Sequence, residues 1–206
     1  MPTDIVLALI GFAIAGSITP GPNNLLVLTS GLNHGVGRTV PLIAGISFGF
    51  AFMLVAIGIG LGSLIRSYPG LHTAIKVFGL AYMLWLAWRV ASSTPASDTA
   101  DNTSLSEPLS AFTGATFQWV NPKAWAIALS ATAAFSVADA ATESLAWISG
   151  VFIIVAFFSL SAWAAFGSLM RRLIDSPSKM RTFNLVMALL LVASALPVAY
   201  DLFVHH

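Results

Sequence analysis

Two of the chain's long apolar segments are interrupted by proline, at corresponding places in its first and second halves. Thr19-Pro20-Gly21-Pro22-Asn23-Asn24 breaks the first of them, and Asn121-Pro122-Lys123 breaks the fourth. In hydrocarbon every backbone N–H and C=O needs an internal partner, so an unwound turn persists only where protein buries it or a wet cavity adjoins it. Breaks at matching positions of two halves are the best sequence indication of a binding site in a transporter.

The composition is that of a membrane protein. Of the 206 residues, 57% are hydrophobic and 8% are charged, whereas a soluble domain carries about 25% charged residues. The net charge of +1 and the absence of charge runs exclude a nucleic-acid-binding surface. There is no cysteine, hence no disulfide, thiol nucleophile or thiolate metal site. We predict neither a metal nor a cofactor.

Six segments are long enough to cross the membrane, which takes about 20 apolar residues. They lie at about 5–32, 40–65, 71–90, 109–135, 145–170 and 183–204. A hydrophilic linker, 92–108, separates a first three-helix repeat, 1–91, from a second, 109–206. Because three is odd, the second repeat enters the membrane from the opposite side. We therefore predict an all-α integral membrane protein of six transmembrane helices, arranged as two inverted three-helix repeats, with the first and fourth helices broken at mid-membrane.

Lysine and arginine near the span ends predict the orientation. The side that holds loops 1–2, 3–4 and 5–6 collects Arg38, Arg89, Arg171, Arg172, Lys179 and Arg181. The other side has only Arg66 and Lys76. If all six segments cross fully, both termini lie outside the cytoplasm.

Each break resembles the start of a half-helix. Proline suits the first turn and a preceding Thr or Asn can cap it, so we expect Thr19-Pro20 and Asn121-Pro122 to be cap and first-turn pairs. A helix N-terminus attracts a carboxylate, and Lys123 adds a full charge. An amine would meet nearby side-chain amides or the carbonyls before Pro20. The predicted substrate-binding residues suit a zwitterion and are Thr19, Pro20, Gly21, Pro22, Asn23, Asn24, Gln118, Asn121, Pro122 and Lys123.

Several of these features also have simpler explanations. A proline in a membrane helix is often a plain kink, and a lysine near a membrane surface can snorkel. At mid-bilayer, however, a lysine costs about 2.5–3.5 kcal/mol, which favours a functional role for Lys123. Gly45 and Gly49 form a Gly-x-x-x-Gly pair that serves either helix packing within the fold or a homodimer.

No acidic residue lies at mid-depth in the predicted spans. Proton-coupled transporters usually carry one there. Here Asp4, Asp139, Glu143 and Asp201 all fall close to one face. Two alternatives stay open: Lys123 itself titrates, or Asp4 and Asp201 serve at the outer mouth.

The motifs occur in the order typical of one known family. They are Ser17-Ile18-Thr19-Pro20-Gly21-Pro22-Asn23-Asn24, Gly31-Leu32-Asn33-His34-Gly35 with Arg38, Ala44-Gly45-Ile46-Ser47-Phe48-Gly49, the run from Lys76 to Ala87, Phe112-Thr113-Gly114 and Asn121-Pro122-Lys123-Ala124. In these motifs the chain resembles the LysE/RhtB family of amino-acid exporters. Asn23-Asn24 and the run from Asn184 to Leu190 look most like the cysteine/O-acetylserine exporters within it.

The resemblance implies export of a small amino acid or derivative across a bacterial inner membrane, with protons as the coupling ion. The expected partners are an amino-acid-like substrate, lipid and protons, with a homodimer as a further option. Two alternatives are an exporter of another small solute or ion, and a membrane subunit without transport activity. An enzyme is not expected, because the chain lacks the His-Glu-x-x-His motif and no acid pair lies within a span.

Overall fold

The computed structural model describes residues 1–61, 67–93, 107–137, 140–171, 173–174 and 176–204. In this part of the chain all regular structure is helical, as predicted. The helices are α1 Thr3–Ile18, α2 Pro22–His34, α3 Val36–Ala56, α4 Pro69–Ala91, α5 Ala111–Phe117, α6 Pro122–Phe135, α7 Ala141–Met170 and α8 Pro177–Val204. A π-helical segment, Ile57–Leu61, continues α3, and a 3₁₀ turn, Gln118–Val120, follows α5.

Four of these helices are long and apolar enough to span a membrane, namely α3 with its π-helical extension, α4, α7 and α8. Helices α1 and α2 meet this criterion as a pair that is bent by 58° at the first break. If this pair is counted as one span, the described residues contain five. The fourth predicted segment is divided between α5 and α6, which have 7 and 14 residues. A multi-pass membrane protein is therefore confirmed, and the sixth crossing stays a prediction. Most of the predicted linker, residues 94–106, lies outside the described residues.

Local sequence explains where the helices begin and end. Gly35 has a φ of 80°, a conformation that favours glycine, and its N–H closes α2 by donating to the carbonyl of Gly31 at 2.9 Å. Ser110 caps α5 by accepting from the N–H of Thr113 at 3.1 Å. Pro69 and Pro177 occupy the first turns of α4 and α8, where the missing N–H is tolerated.

Helices of the first half of the chain pack directly on helices of the second half. Helices α1 and α2 of the first half lie on α7 of the second half, and α5 of the second half lies on α3 of the first. Helices α3 and α7 also contact each other, as do α4 and α8. Each of the two hydrophobic core clusters in the described residues consequently contains residues from both halves.

Glycine allows two of these helix pairs to approach closely. A Cβ atom at Gly45 would lie 2.0 Å from the carbonyl oxygen of Ala111, and one at Gly49 would lie 2.5 Å from the Cα atom of Ala115. The Gly-x-x-x-Gly pair therefore packs α3 against α5 within the fold. Between α2 and α7, a Cβ at Gly167 would lie 2.1 Å from the carbonyl oxygen of Leu28.

Charged groups at the helix ends fall on two opposite faces. Arg38, Arg89 and Arg171 all lie within electrostatic reach of His34, so the ends of α2, α4 and α7 share one face. On the other face the amino group of Met1 binds a carboxylate oxygen of Glu143 at 2.7 Å, which joins the starts of α1 and α7. Arg66, Asp139 and Arg172 lie outside the described residues.

Candidate functional site

The first break lies between α1 and α2. Thr19 ends α1, because its hydroxyl and its backbone N–H both donate to the carbonyl of Ala15. Helix α2 begins at Pro22, after an extended Gly21 with a φ of −172°. The expected pair Thr19-Pro20 is therefore wrong, and Gly21-Pro22 is the cap and first-turn pair. The physical reason is that the threonine hydroxyl donates to a carbonyl of the preceding helix, α1, and is therefore not free to cap α2.

Asn24 joins the two sides of the first break. Its side-chain amide donates to the carbonyl of Ser17 at 3.0 Å and to that of Thr19 at 3.1 Å. Both carbonyls stand where α1 ends and its own N–H donors run out. Asn24 is only 4% exposed, so a buried side chain supplies the partners that an unwound turn in a membrane requires.

The second break follows the predicted pattern. Asn121 caps α6 through Oδ1, which accepts a hydrogen bond from the backbone N–H of Lys123 at 3.1 Å, and Pro122 occupies the first turn. Asn121 is 1% exposed. The prediction that Asn121-Pro122 is a cap and first-turn pair is thus confirmed. The 3₁₀ turn before Asn121 separates α5 from α6, so the fourth segment is not a continuous helix.

Lys123 connects the two breaks. Its ammonium group donates a hydrogen bond to the carbonyl oxygen of Thr19. Its aliphatic stem lies over Gly21, where a Cβ atom would come within 2.7 Å of the lysine Cδ. A larger residue at this position would push the lysine side chain aside.

A pair of side-chain amides forms a second connection between the breaks. The amide nitrogen of Asn23 donates to Gln118 Oε1 at 2.9 Å, and the amide nitrogen of Gln118 donates to Asn23 Oδ1 at 3.1 Å. Gln118 also donates to the carbonyl of Gly114 at 2.9 Å and is fully buried. Both amides were predicted as ligands for a substrate amine, but here they bind each other.

A cavity of about 50 Å³ lies where the breaks meet. It has room for a few water molecules rather than for a whole amino acid. Of the predicted residues, Gly21, Asn23, Asn24, Asn121 and Lys123 line it. Gln118 lies behind Asn23, the side chains of Thr19 and Pro20 are exposed, and Pro22 is buried outside the lining.

The apolar wall of the cavity was not anticipated from the sequence. It includes Ile46 and Phe50 of α3 and Phe152, Ala156 and Leu160 of α7. Phe50 and Phe152 belong to one packed cluster, and Ile46, Ala156 and Leu160 belong to another. The cavity therefore lies at the junction of two parts of the core. No local signal distinguishes these residues from ordinary core positions.

The electrostatics of this site suit a ligand that carries both charges. The N-termini of α2 and α6 each present roughly half a positive charge, and Lys123 adds a full one. Next to them the Thr19 carbonyl accepts hydrogen bonds from Asn24 and Lys123. A carboxylate and an ammonium group thus find complementary partners within the same small space.

Other chemistries find little support among the described residues. No group of three or more His, Cys, Asp or Glu is placed to hold a metal ion in that part of the chain. Residues 45–49 have the Gly-x-Ser-x-Gly spacing of a nucleophile elbow, which requires a strand-to-helix turn. They lie inside the continuous helix α3, where Ser47 is 1% exposed. Ser47 is therefore not placed as a nucleophile.

Comparison with known proteins covers almost the whole chain. The profile of the family described as LysE type translocator matches residues 14–202. The chain is 32% identical over 193 residues to the cysteine/O-acetylserine efflux proteins of Escherichia coli (strain K12) and Shigella sonnei (strain Ss046), covering 92% of this chain and 94% of each relative. No solved structure matches it.

The matched region contains both breaks and every residue that lines the cavity, and it includes the last turn of α1. The family consists of transporters, so the expectation that this protein is not an enzyme is confirmed. The resemblance seen in the motifs is confirmed as well, and the chain belongs to the LysE family of translocators.

Proposed function

We propose that this protein is a secondary transporter that exports a small amino acid or derivative across a bacterial inner membrane in exchange for protons. The observation that carries the proposal is the convergence of Lys123 and two half-helix N-termini on one cavity beside the Thr19 carbonyl. The relatives are named for cysteine and O-acetylserine efflux, so O-acetylserine is the first substrate to test.

Substrate binding would replace the hydrogen bond between Lys123 and Thr19 by one contact to the substrate carboxylate and one to its ammonium group. In the structure the Lys123 ammonium donates a hydrogen bond to the carbonyl of Thr19. A zwitterion would offer its carboxylate to Lys123 and to the first-turn N–H groups of α2 and α6. Its ammonium group would then take the Thr19 carbonyl that the lysine leaves. The cavity would have to widen, since a small-molecule pocket measures about 300 Å³ or more.

The packing supports an inverted repeat of residues 1–91 and 109–206. A twofold axis that exchanges the repeats relates the first span to the fourth, the second to the fifth and the third to the sixth. It therefore maps the contact of α1 with α7 onto that of α5 with α3, and both contacts are present. It also pairs α3 with α7 and α4 with α8, and these helices do pack together.

The ends of the fourth segment support a sixth crossing. Before α5, the guanidinium of Arg89 donates to the carbonyl of Glu107 at 3.0 Å, on the arginine-rich face. After α6, the N–H of Val137 donates to Ser144 Oγ at 3.2 Å, next to Glu143 on the opposite face. We propose that α5 and α6 together cross the membrane, with the arginine-rich face in the cytoplasm and both termini outside it.

Proton exchange requires a titratable group that the substrate can influence. Lys123 is the one ionisable side chain among the residues that line the cavity. We therefore propose Lys123 as the group that couples substrate and proton.

Counterflow in proteoliposomes tests the function. Vesicles preloaded with unlabelled O-acetylserine should accumulate labelled O-acetylserine, and empty vesicles should not. The methyl ester of O-acetylserine keeps the ammonium group and the side chain but has no carboxylate. We expect unlabelled O-acetylserine to compete at least tenfold better than the ester, a loss of about 1.4 kcal/mol or more. Equal competition would contradict the anion site, and absence of counterflow with amino acids would contradict the function.

A further inference from the structure

A second polar chamber, of about 20 Å³, lies at the other end of α2. Its lining includes Thr29, Asn33 and His34 from α2, Arg89 and Ser93 at the end of α4, and the exposed Glu107 before α5. Ten helical residues separate Asn23 from Asn33, so the chamber lies about 15 Å along α2 from the breaks.

A pair of buried asparagines lies beside the chamber, and Asn33 of the pair lines it. Asn33 and Asn184 exchange amide hydrogen bonds of 3.0 and 3.1 Å and are 1% and 0% exposed. Their remaining amide hydrogens go to the carbonyls of Thr29 at 2.9 Å and Ser93 at 2.8 Å. All four amide hydrogens of this pair are used, so the two asparagines form a fixed connection between α2 and α8.

Thr29 is different. Its side chain is 2% exposed and its hydroxyl has no hydrogen-bond partner, although it lines the chamber. A buried hydroxyl without a partner is unfavourable unless a ligand or a water completes it.

Arg89 supplies positive charge at the same place. It is half-buried, its guanidinium lies 5.6 Å from the ring centre of Trp85, and one N–H binds the carbonyl of Glu107. A guanidinium has five N–H donors in a planar fork that matches a carboxylate. Arg38 and Arg171 lie close to His34 and add to the positive potential around the chamber.

We propose that this chamber, which at about 20 Å³ holds about one water and would have to widen, is a second subsite for the substrate carboxylate, with Arg89 and the Thr29 hydroxyl as its donors. The inference rests on the proposed export function and adds to it a place where the substrate binds before it reaches the breaks. Leu26 lines the chamber and Ile46 lines the first cavity, and both belong to one packed cluster.

A thiol reporter tests the subsite without any need for transport. The chain contains no cysteine, and Val90 lines the chamber at 3% exposure. V90C protein in discs of zwitterionic lipid would be labelled with methyl methanethiosulfonate. Labelling would be timed alone, with O-acetylserine, with its methyl ester and with acetate. We expect O-acetylserine and acetate to slow labelling at least fivefold and the ester to have no effect.

Further substitutions in the V90C protein test which residues form the subsite. R89Q should abolish the protection, whereas R38Q makes the same charge change on an exposed neighbour and should preserve it. T29V should weaken protection, and S47A, at another buried hydroxyl without a partner, should not. K123M should leave protection intact, because that residue is at the breaks.

Several outcomes would overturn the inference. They are no labelling of V90C, no protection, equal protection by the ester, and loss of protection in R38Q or K123M. The counterflow assay tests the export function separately. A protein that shows acetate protection but no amino-acid counterflow would refute the export function and leave an anion subsite.

Discussion

Lys123 reaches from one half of the protein to the other and holds the end of α1 by the Thr19 carbonyl. We expect K123M to lower counterflow by tenfold or more, because a charge-assisted hydrogen bond is worth about 1.5–3 kcal/mol. K123R should recover little, since a planar guanidinium replaces a point charge poorly in a tight site. Flux would be normalised to the amount of folded protein. Parental flux in well-folded K123M would remove the lysine from the mechanism.

Gly21 offers a finer test of the same contact. Its extended backbone accepts alanine without strain, but the added Cβ would lie 2.7 Å from the lysine Cδ and displace that side chain. G21A should therefore fold and transport severalfold more slowly. The control is G11A in α1, because a Cβ at Gly11 meets nothing within 4 Å. Equal rates for both variants, measured by counterflow, would show that the lysine position is not critical.

At the level of the elements, the fold depends on close contact between helices from different halves. A Cβ atom at Gly167 of α7 would lie 2.1 Å from the backbone oxygen of Leu28 in α2. Backbone atoms cannot rotate away, so G167A should destabilise the protein by about 1–3 kcal/mol, as overpacking usually does. G150A lies on the same helix in open space and serves as the control. Thermal unfolding in detergent should show a lower Tm for G167A only.

At the level of the whole molecule, the arginine-rich face predicts the sidedness in the membrane. Ser178 and Ser136 are exposed residues near opposite ends of the fold. S178C should be protected from an impermeant maleimide in intact cells, and S136C should be labelled. Both should be labelled after the membrane is permeabilised, which controls for intrinsic reactivity. The reverse pattern would invert the topology, and labelling of both in intact cells would contradict full crossing of the intervening helix.

The sequence alone determined the class of fold and the positions of both breaks. Membrane helices are set by long apolar runs, and proline ends a helix for local steric reasons, so both can be read from neighbouring residues. The Asn121-Pro122 cap was predicted for the same reason. The Thr19-Pro20 cap was wrong because the hydroxyl had two possible backbone partners, and only the folded geometry shows that it binds Ala15.

Only the tertiary structure decided what each polar group binds. The amides of Asn23 and Gln118 are 95 residues apart in the chain and satisfy each other, and Asn33 and Asn184 are 151 residues apart and do the same. Phe50 and Phe152 become cavity walls because α3 packs on α7. Hydrogen bonding and packing are contacts between distant segments, and local residue patterns carry no information about which of many similar partners will meet.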